Sequence, residues 1–189
     1  MRVLTHRSAQ VVLAFVAAAG VSVCFGLIVQ DLRTVSPDEA TWQQLGRQPR
    51  ADDVERRQAR ISAAIRAALS DQVQVRNWTL LVPPTLARCA GEAGRIGGGA
   101  ASRSVIGGTW SGEALPQERW PAAYRAIQPV LGAEGFTSVD VRLDGPAEHR
   151  ISIDDSAGTT LLLDLDARST DVSLTSRCSL VPNAQKPVM

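Results

Sequence analysis

Two cysteines and a histidine are the side chains of this sequence most suited to covalent or acid–base chemistry. Cys89 and Cys178 lie far apart, and neither belongs to the C-x-x-C spacing of a redox-active pair. His149 stands between Glu148 and Arg150, and no G-x-S-x-G motif near it supplies a nucleophile. We therefore expect no nucleophilic catalysis and no catalytic residue, and we expect His149 to be exposed at the start of a strand.

A second group of side chains that could do chemistry consists of aspartates near the last predicted turns: Asp154, Asp155, Asp164 and Asp166. Carboxylates bind Ca²⁺, and paired carboxylates perform the acid–base chemistry of glycosidases. The segment lacks the spacing and the distal glutamate of a calcium loop, and no apolar pocket is recognisable that would raise one pKa. We expect a solvated face of the sheet, and neither a metal ion nor a cofactor.

Glycines and tryptophans are the remaining candidates for a binding site. The glycine-rich run Gly91–Gly99 lacks the lysine and the Ser/Thr of a phosphate-binding loop, so a flexible loop is expected there. Trp78, Trp110 and Trp120 are either core residues or the lining of a ligand cleft, because indole rings supply large apolar area with a polar edge. If they bind a ligand, the cleft is expected near Trp78, Trp110 and the glycine-rich run.

The cellular location of the domain affects how its cysteines and its possible partners are interpreted. Nineteen residues without a charge, Val11–Val29, are just long enough to cross an apolar bilayer core of about 30 Å as a helix. Arg2 and Arg7 precede this run and Asp31 follows it. The positive charges predict a cytoplasmic N-terminus and a domain outside the cell membrane, in a single-pass arrangement.

The fate of the apolar run has three alternatives: an uncleaved anchor, a cleaved signal peptide, or lipidation at Cys24. Val23 stands where a lipidation motif requires a small residue, and the apolar run continues beyond Cys24. No convincing A-x-A-like cleavage site follows. We expect an uncleaved anchor, while cleavage and lipidation stay open.

An extracytoplasmic location also predicts how the two cysteines of the domain are used. In an oxidising compartment, two cysteines of one domain most often form a disulfide. We therefore expect a Cys89–Cys178 bridge, which would tie the glycine-rich run to the last strand. Two thiols and one histidine do not fill a tetrahedral zinc site.

Hydrophobic periodicity predicts an α+β domain in which two helices cover one face of an antiparallel sheet. The predicted helices are 52–71 and 115–132, and the predicted strands are 75–82, 102–110, 137–143, 150–153, 159–166 and 171–178. The expected organisation is a cytoplasmic tail at 1–10, a transmembrane helix or signal anchor at 11–29, a juxtamembrane linker at 30–50, the extracytoplasmic domain at 51–180 and a disordered tail at 181–189.

The charge pattern limits the partners of the domain. Arg56, Arg57, Arg60 and Arg66 occupy the polar side of the first predicted helix, where a solvated face is expected and a contact with anionic lipid head groups is the alternative. The net charge of the whole chain is +1. Nucleic-acid binding needs many phosphate contacts, and a near-neutral chain argues against it.

The placed residues resemble the LppA-type family of mycobacteria, whose members are described as lipoproteins. The resemblance covers roughly residues 52–180 and is carried by VERRQARI in the first helix, Trp78, Cys89 with its following glycines, Thr109-Trp110, Trp120-Pro121, Gly135-Phe136 and Cys178. It implies a cell-envelope protein of actinobacteria without an established activity, and it transfers no catalytic residue. The weak lipidation motif around Cys24 is a departure from the family, so lipidation is not carried over.

We therefore expect a non-enzymatic, membrane-anchored protein of the cell envelope. Its domain would bind an envelope protein or a small apolar ligand outside the membrane. The alternative is a structural or assembly role, in which the domain contacts another envelope component. An apolar cleft would favour the first function, and an exposed apolar patch would favour the second.

Overall fold

The computed structural model describes residues 37–145 and 147–186. The expected cytoplasmic tail, the apolar run Val11–Val29 and Cys24 lie outside the described residues, so their membrane topology stays a prediction. Within the described ranges, no helix has the length and the apolar composition that crossing a membrane requires.

The first described element is helix α1, Pro37–Gly46, which lies inside the segment expected to be a linker. Proline at the first position and acidic residues in the first turn both favour a helix start. Trp42 and Leu45 are 9 % and 4 % exposed, and they pack with Ile96 of the glycine-rich run. The expectation of a linker is wrong here, because the partners that stabilise this short helix lie far away in the sequence.

The chain after α1 forms two layers, with helices on an antiparallel sheet. Its further elements are helices α2 (Ala51–Val73) and α3 (Trp120–Ala133) and strands β1 (Thr79–Val82), β2 (Thr85–Arg88), β3 (Ser102–Glu113), β4 (Phe136–Asp144), β5 (Glu148–Asp155), β6 (Thr159–Asp166) and β7 (Ser169–Leu180). Six of the seven described strands follow the order β1-β3-β7-β6-β5-β4, and the seventh, β2, pairs with β3. The predicted α+β class and the antiparallel sheet are confirmed, whereas α1 and β2 were not predicted.

The main core lies between the sheet and helices α2 and α3. Ile61, Ile65 and Leu69 repeat along one side of α2 and are at most 1 % exposed. They belong to one apolar cluster with Ile127 of α3 and Leu163 of β6. Of the residues predicted to share the inward side of β6 and β7, five are buried: Leu161, Leu163, Leu165, Val172 and Leu174. The sixth, Cys178, is half-buried beside the smaller apolar cluster.

The glycine-rich run is a compact structure and not the expected flexible loop. Residues Ile96–Gly99 form a turn of 3-10 helix, and Ile96 is 2 % exposed against Trp42. The Ser102 hydroxyl donates a hydrogen bond to the carbonyl of Ala93. A single buried isoleucine therefore orders a segment whose composition alone favours mobility.

The predicted disulfide between Cys89 and Cys178 is confirmed, with the two Cα atoms 5.9 Å apart. The bridge connects the segment that follows β2 to the C-terminal half of β7. It lies beside the small apolar cluster that includes Ile96 and Leu180. The disulfide and this cluster together attach the glycine-rich run and α1 to the end of the sheet.

The segment that follows β7 packs on the domain, so the expectation of a disordered tail is wrong for residues 181–186. The Val181 amide donates to the Ala101 carbonyl at 3.0 Å, and Arg50 donates to the Val181 carbonyl. The Lys186 ammonium forms an ion pair with Glu39 of α1. Most of these contacts use the backbone or long charged side chains, which leave no periodic signal in the sequence.

Candidate ligand-binding cleft

The candidate site is built around the first residue of α3. The Trp120 indole stacks on the His149 imidazole, with ring centroids 5.0 Å apart and the planes inclined by 15°. A proline directly after Trp120 favours a helix start at this point. His149 lies on β5, where its register partners are Asp144 of β4 and Leu165 of β6. The sheet register therefore fixes the histidine, and the N-terminus of α3 brings the indole over it.

His149 is 9 % exposed, so the expectation that it is solvent-exposed is wrong. Its Nδ1 lies 2.8 Å from Oδ1 of Asp144, while its buried Nε2 has no hydrogen-bond partner within the described residues. A carboxylate accepts hydrogen bonds, so in the neutral ring Nδ1–H donates and Nε2 is left as an acceptor. The polar neighbours Glu148 and Arg150 suggested exposure, and the burial comes from distant residues that no local pattern reveals.

Trp120 borders two cavities. The first has a volume of about 390 Å³ and contains polar groups. Its lining consists of Ala114, Leu115, Pro116, Gln117, Trp120, Ala147, His149, Leu165, Asp166 and Ala167. The second has a volume of about 300 Å³ and a mainly hydrocarbon and aromatic lining of Trp120, Pro121, Tyr124, Val139, Val141 and Ile151. Trp120 thus lies between an apolar compartment and one of mixed lining, called the polar compartment because Gln117, His149 and Asp166 supply its hydrogen-bonding groups although most of its surface is apolar.

The apolar compartment exists because the sheet extends beyond the helix that covers it. Val139 and Val141 of β4 pair with Ile153 and Ile151 of β5, so all four share the face that carries the helices. The two isoleucines are buried, whereas Val139 is 46 % and Val141 is 58 % exposed. Val139 and Val141 therefore share one face as predicted, but a register shift pairs Leu143 with Arg150 and breaks the predicted alternation there. The side that the two valines were expected to bury is open next to Trp120.

The other two predicted tryptophans lie elsewhere in the fold. The Trp78 indole donates to the hydroxyl of Ser70 at 2.9 Å and packs against the main core. The Trp110 ring lies under Arg66, whose guanidinium carbon is 3.7 Å from the ring centroid. Neither tryptophan lines the two cavities beside Trp120. The structure does not bring the three indoles together.

Arg57 is the centre of a partly buried ionic network and not part of a solvated helix face. Its Nε donates to Oε2 of Glu134 at 3.0 Å, and its terminal nitrogens donate to the carboxylate of Asp155, the hydroxyl of Thr159 and the carbonyl of Glu134. Burial lowers the pKa of Arg57, but the hydrogen bonds and charges of Asp155 and Glu134 outweigh it and raise the pKa above its ordinary value. The Asp155 side chain is 1 % exposed, so its expected solvation is wrong.

The other arginines of α2 have separate environments. Arg56 forms exposed ion pairs with Asp52 and Asp53, and Arg60 is exposed. Arg66 lies over an indole, and burial lowers the pKa of its guanidinium. The expected single solvated face is therefore wrong for two of the four arginines. A contact of Arg60 with lipid head groups stays a prediction.

The remaining aspartates have structural partners. Asp164 pairs with Arg150 across the sheet, with 2.8 Å between Oδ2 and Nε, and Asp154 accepts the hydroxyl hydrogen of Thr160. In the described parts of the chain, no three His, Cys, Asp or Glu side chains are grouped so that they could hold a metal ion. These carboxylates stabilise strand pairs and turns.

Asp166 borders the polar cavity and is the carboxylate there for which a pH effect is expected. Hydrogen bonds from the backbone amides of Arg168 and then Ser169 lower its pKa below the ordinary 3.8, against the opposing effect of burial. A lowered folded-state pKa stabilises the fold above pH 3.8, and this contribution is lost as the pH falls through the lowered value.

We expect Asp166→Asn to lower the free energy of unfolding at pH 7 relative to the native chain. The difference should decrease on acidification below pH 3.8. Urea unfolding at pH 7 and at a pH below 3.8 measures the effect, with Asp140→Asn as the exposed control. A difference that is independent of pH would contradict the assigned role of the carboxylate charge.

Comparisons with known proteins place this fold in a family. A family model described as LppA, a lipoprotein confined to pathogenic Mycobacterium, matches residues 33–181. A crystal structure of LppA from Mycobacterium tuberculosis is 16 % identical with a TM-score of 0.58, and the match covers 82 % of this chain and 98 % of that chain. A DUF4853 family protein from Actinomyces odontolyticus is also 16 % identical, with a TM-score of 0.56 and coverage of 77 % and 81 %.

At this identity the two solved structures show the shared fold alone. No curated protein matches the chain. The family model matches most of the sequence, including both cysteines of the disulfide and Trp120. The resemblance noted from the sequence is thereby confirmed, and this chain belongs to the LppA family.

Proposed function

We propose that this protein is a non-enzymatic, membrane-associated domain of the cell envelope, which binds a small and largely apolar ligand in the cleft around Trp120. The family description as a lipoprotein supports a location at the membrane. The Cys89–Cys178 disulfide supports an oxidising compartment. In this proposal an uncleaved anchor at 11–29 holds the domain outside the cell membrane, with cleavage and lipidation at Cys24 as the alternatives.

The open apolar compartment carries the proposal for a ligand. Val139 and Val141 face the helix side of the sheet, beside Trp120 and Tyr124, yet about half of their surface contacts solvent. Covering apolar surface gains about 25 cal/mol per Å². A ligand that fills this compartment would complete the helix-covered face at the place where α3 leaves it open.

The cavity beside His149 supports binding over nucleophilic catalysis. Asp144 and His149 form a carboxylate–imidazole pair, which in many hydrolases activates a serine or cysteine. The lining of this cavity contains neither of these residues nor a threonine. The pair therefore has a hydrogen-bonding role in this proposal and not a catalytic one.

A fluorescent apolar probe tests the proposal. We expect N-phenyl-1-naphthylamine to bind a fragment of residues 37–189 with a dissociation constant on the order of micromolar. These residues form a compact unit, and their cores, sheet and disulfide lie within it. Val141→Asp should weaken binding about tenfold or more, because it places a charge in the apolar compartment.

The matched control is Leu81→Asp, which changes an exposed apolar residue at the opposite edge of the sheet. It should leave binding of the probe unchanged, and circular dichroism should show that both variants are folded. Equal binding by the Val141→Asp variant and the native fragment would contradict the assignment of the site.

An assembly function is the second candidate, favoured by the surface of β1 and β2. Four large apolar side chains there are 38–57 % exposed: Leu80, Leu81, Val82 and Leu86. Such a patch is typical of a protein contact. Under this alternative, Leu81→Asp would abolish cross-linking of the full-length protein to an envelope partner, whereas Val141→Asp would not.

A further inference from the structure

We infer that the ligand of the Trp120 cleft is an uncharged amphiphile, whose hydroxyl-bearing head occupies the cavity beside His149 and whose alkyl chain lies against Val139 and Val141. The inference rests on the proposed binding function and adds the chemical class of the ligand. It depends on three observations: the two compartments share one wall, a buried acceptor lacks a partner, and the polar compartment is lined by one carboxylate, Asp166, with Asp144 bound to its histidine.

The shared wall gives the ligand its two-part form. Trp120 lines both compartments, so a molecule that passes its indole can occupy both. The compartment bounded by Tyr124, Val139 and Val141 offers almost entirely apolar surface. The compartment bounded by Gln117 and His149 offers hydrogen-bonding groups. A purely apolar ligand would leave the hydrogen-bonding groups of the polar compartment without partners. A purely polar ligand would leave the surface of the apolar compartment uncovered.

The hydrogen-bonding groups of the polar compartment call for a donor. Asp144 fixes the proton of neutral His149 on Nδ1, and its buried Nε2 then accepts. Buried polar atoms in folded proteins are nearly always paired with protein or ordered water, so the unpaired nitrogen of a ring that lines a cavity calls for a donor. A ligand hydroxyl supplies a donor, whereas a carboxylate or a phosphate diester offers acceptors only.

The charges around the compartment argue against an ionic head. Asp166 lines the cavity and Asp144 holds the histidine, while Glu148 precedes it in the chain. The nearby Arg150 is already paired with Asp164 and Glu148. An anionic head would therefore meet like charges, and the one arginine beside Asp166, Arg168, already faces that carboxylate.

A cationic head is also disfavoured, because the cavity carboxylate is already satisfied. Oδ1 of Asp166 accepts the amides of Arg168 and Ser169, and its Oδ2 lies 3.6 Å from the Arg168 guanidinium. An ammonium group would lose hydration without gaining an unpaired carboxylate. A neutral hydroxylated head loses less hydration and satisfies Nε2.

Binding should also move the indole. Nε2 of His149 is buried although its ring borders the cavity, so a head group reaches the nitrogen only when the surrounding side chains shift. Trp120 covers the imidazole ring from one side and is only partly buried. A head group that reaches Nε2 should displace the indole, so a change in the surroundings of Trp120 would report head-group binding.

Competition against N-phenyl-1-naphthylamine tests the class of ligand with the fragment of residues 37–189. The competitors are n-octyl-β-D-glucoside below its micellar concentration, octanoate and glucose. We expect the octyl glucoside to displace the probe at a concentration about tenfold lower than octanoate, and glucose not to displace it.

His149→Phe keeps an aromatic ring against Trp120 but removes the acceptor. It should reduce the preference for octyl glucoside over octanoate to about twofold or less while the probe itself still binds. Asp140→Asn is the control, because Asp140 is exposed and lines neither compartment, and it should keep the preference. A variant that fails the circular dichroism test is replaced by Asp144→Asn. Without the carboxylate the proton of the neutral ring is no longer held on Nδ1, so Nε2 is less available as an acceptor and the same preference should weaken.

The outcomes separate this inference from the proposed function. Equal displacement by octyl glucoside and octanoate, or a preference that persists in the His149→Phe variant, would overturn the amphiphile while leaving the apolar site intact. Absence of probe binding in the native fragment would overturn both.

Discussion

Replacing Arg57 with methionine is expected to lower the free energy of unfolding by about 3–5 kcal/mol. Methionine keeps the length of the aliphatic stem but removes the guanidinium that connects α2 with the turn after α3 and with the end of β5. The Asp155 side chain would remain 1 % exposed without its charged partner. The effect is large because the buried carboxylate would lose its counter-charge and keep the hydrogen bond from the Thr159 amide, which offsets the lost hydration only in part.

Urea unfolding of the native fragment and three variants measures this effect. Arg56→Met is the matched control, because its ion pairs with Asp52 and Asp53 are exposed and should contribute less than about 1 kcal/mol. Combining Arg57→Met with Asp155→Asn should recover part of the loss, since the buried charge is then removed as well. Equal effects of the Arg56 and Arg57 substitutions would contradict the network.

Removing the disulfide by changing Cys89 and Cys178 to alanine is expected to cost about 4–5 kcal/mol in the chain-entropy description. The cysteines are separated by 89 residues, so the bridge closes a long loop and strongly restricts the unfolded chain. The reduced protein should also become sensitive to proteolysis near the glycine-rich run, because α1 and Ile96 are attached to the sheet close to the bridge.

Urea unfolding with and without dithiothreitol tests this prediction in the native fragment. The double alanine variant is the control, since reductant should leave its unfolding curve unchanged. If the oxidised and reduced native fragments unfold at the same urea concentration, the bridge does not stabilise the domain.

Periodicity predicted the parts of the fold in which local pattern and burial agree. Leu161, Leu163 and Leu165 occupy alternate positions of β6, and their side of the strand is buried as expected. Helix α1 was missed because its stability depends on Trp42 packing against the distant glycine-rich run. Burial of this kind is decided by long-range contacts, which a single sequence does not display.

Only part of the candidate site was predictable, because burial at this site is also decided by long-range contacts. Trp78, Trp110 and Trp120 were all candidates for a cleft from their chemistry, but the cleft was expected near Trp78, Trp110 and the glycine-rich run because the order of strands was unknown. His149 was expected to be exposed because Glu148 and Arg150 flank it, yet the helix that begins at Trp120 covers its ring. The unpaired Nε2 is visible only after the register of β4 and β5 is known.

The four tryptophan indole resonances offer the most direct test of the Trp120 cleft. Two-dimensional ¹H–¹⁵N spectra of the fragment, assigned with single tryptophan-to-phenylalanine variants, would be recorded during titration with n-octyl-β-D-glucoside. We expect saturable movement of the Trp120 resonance, while those of Trp78 and Trp110 stay in place beside Ser70 and Arg66. Movement of Trp78 or Trp110 with an unchanged Trp120 resonance would contradict the account.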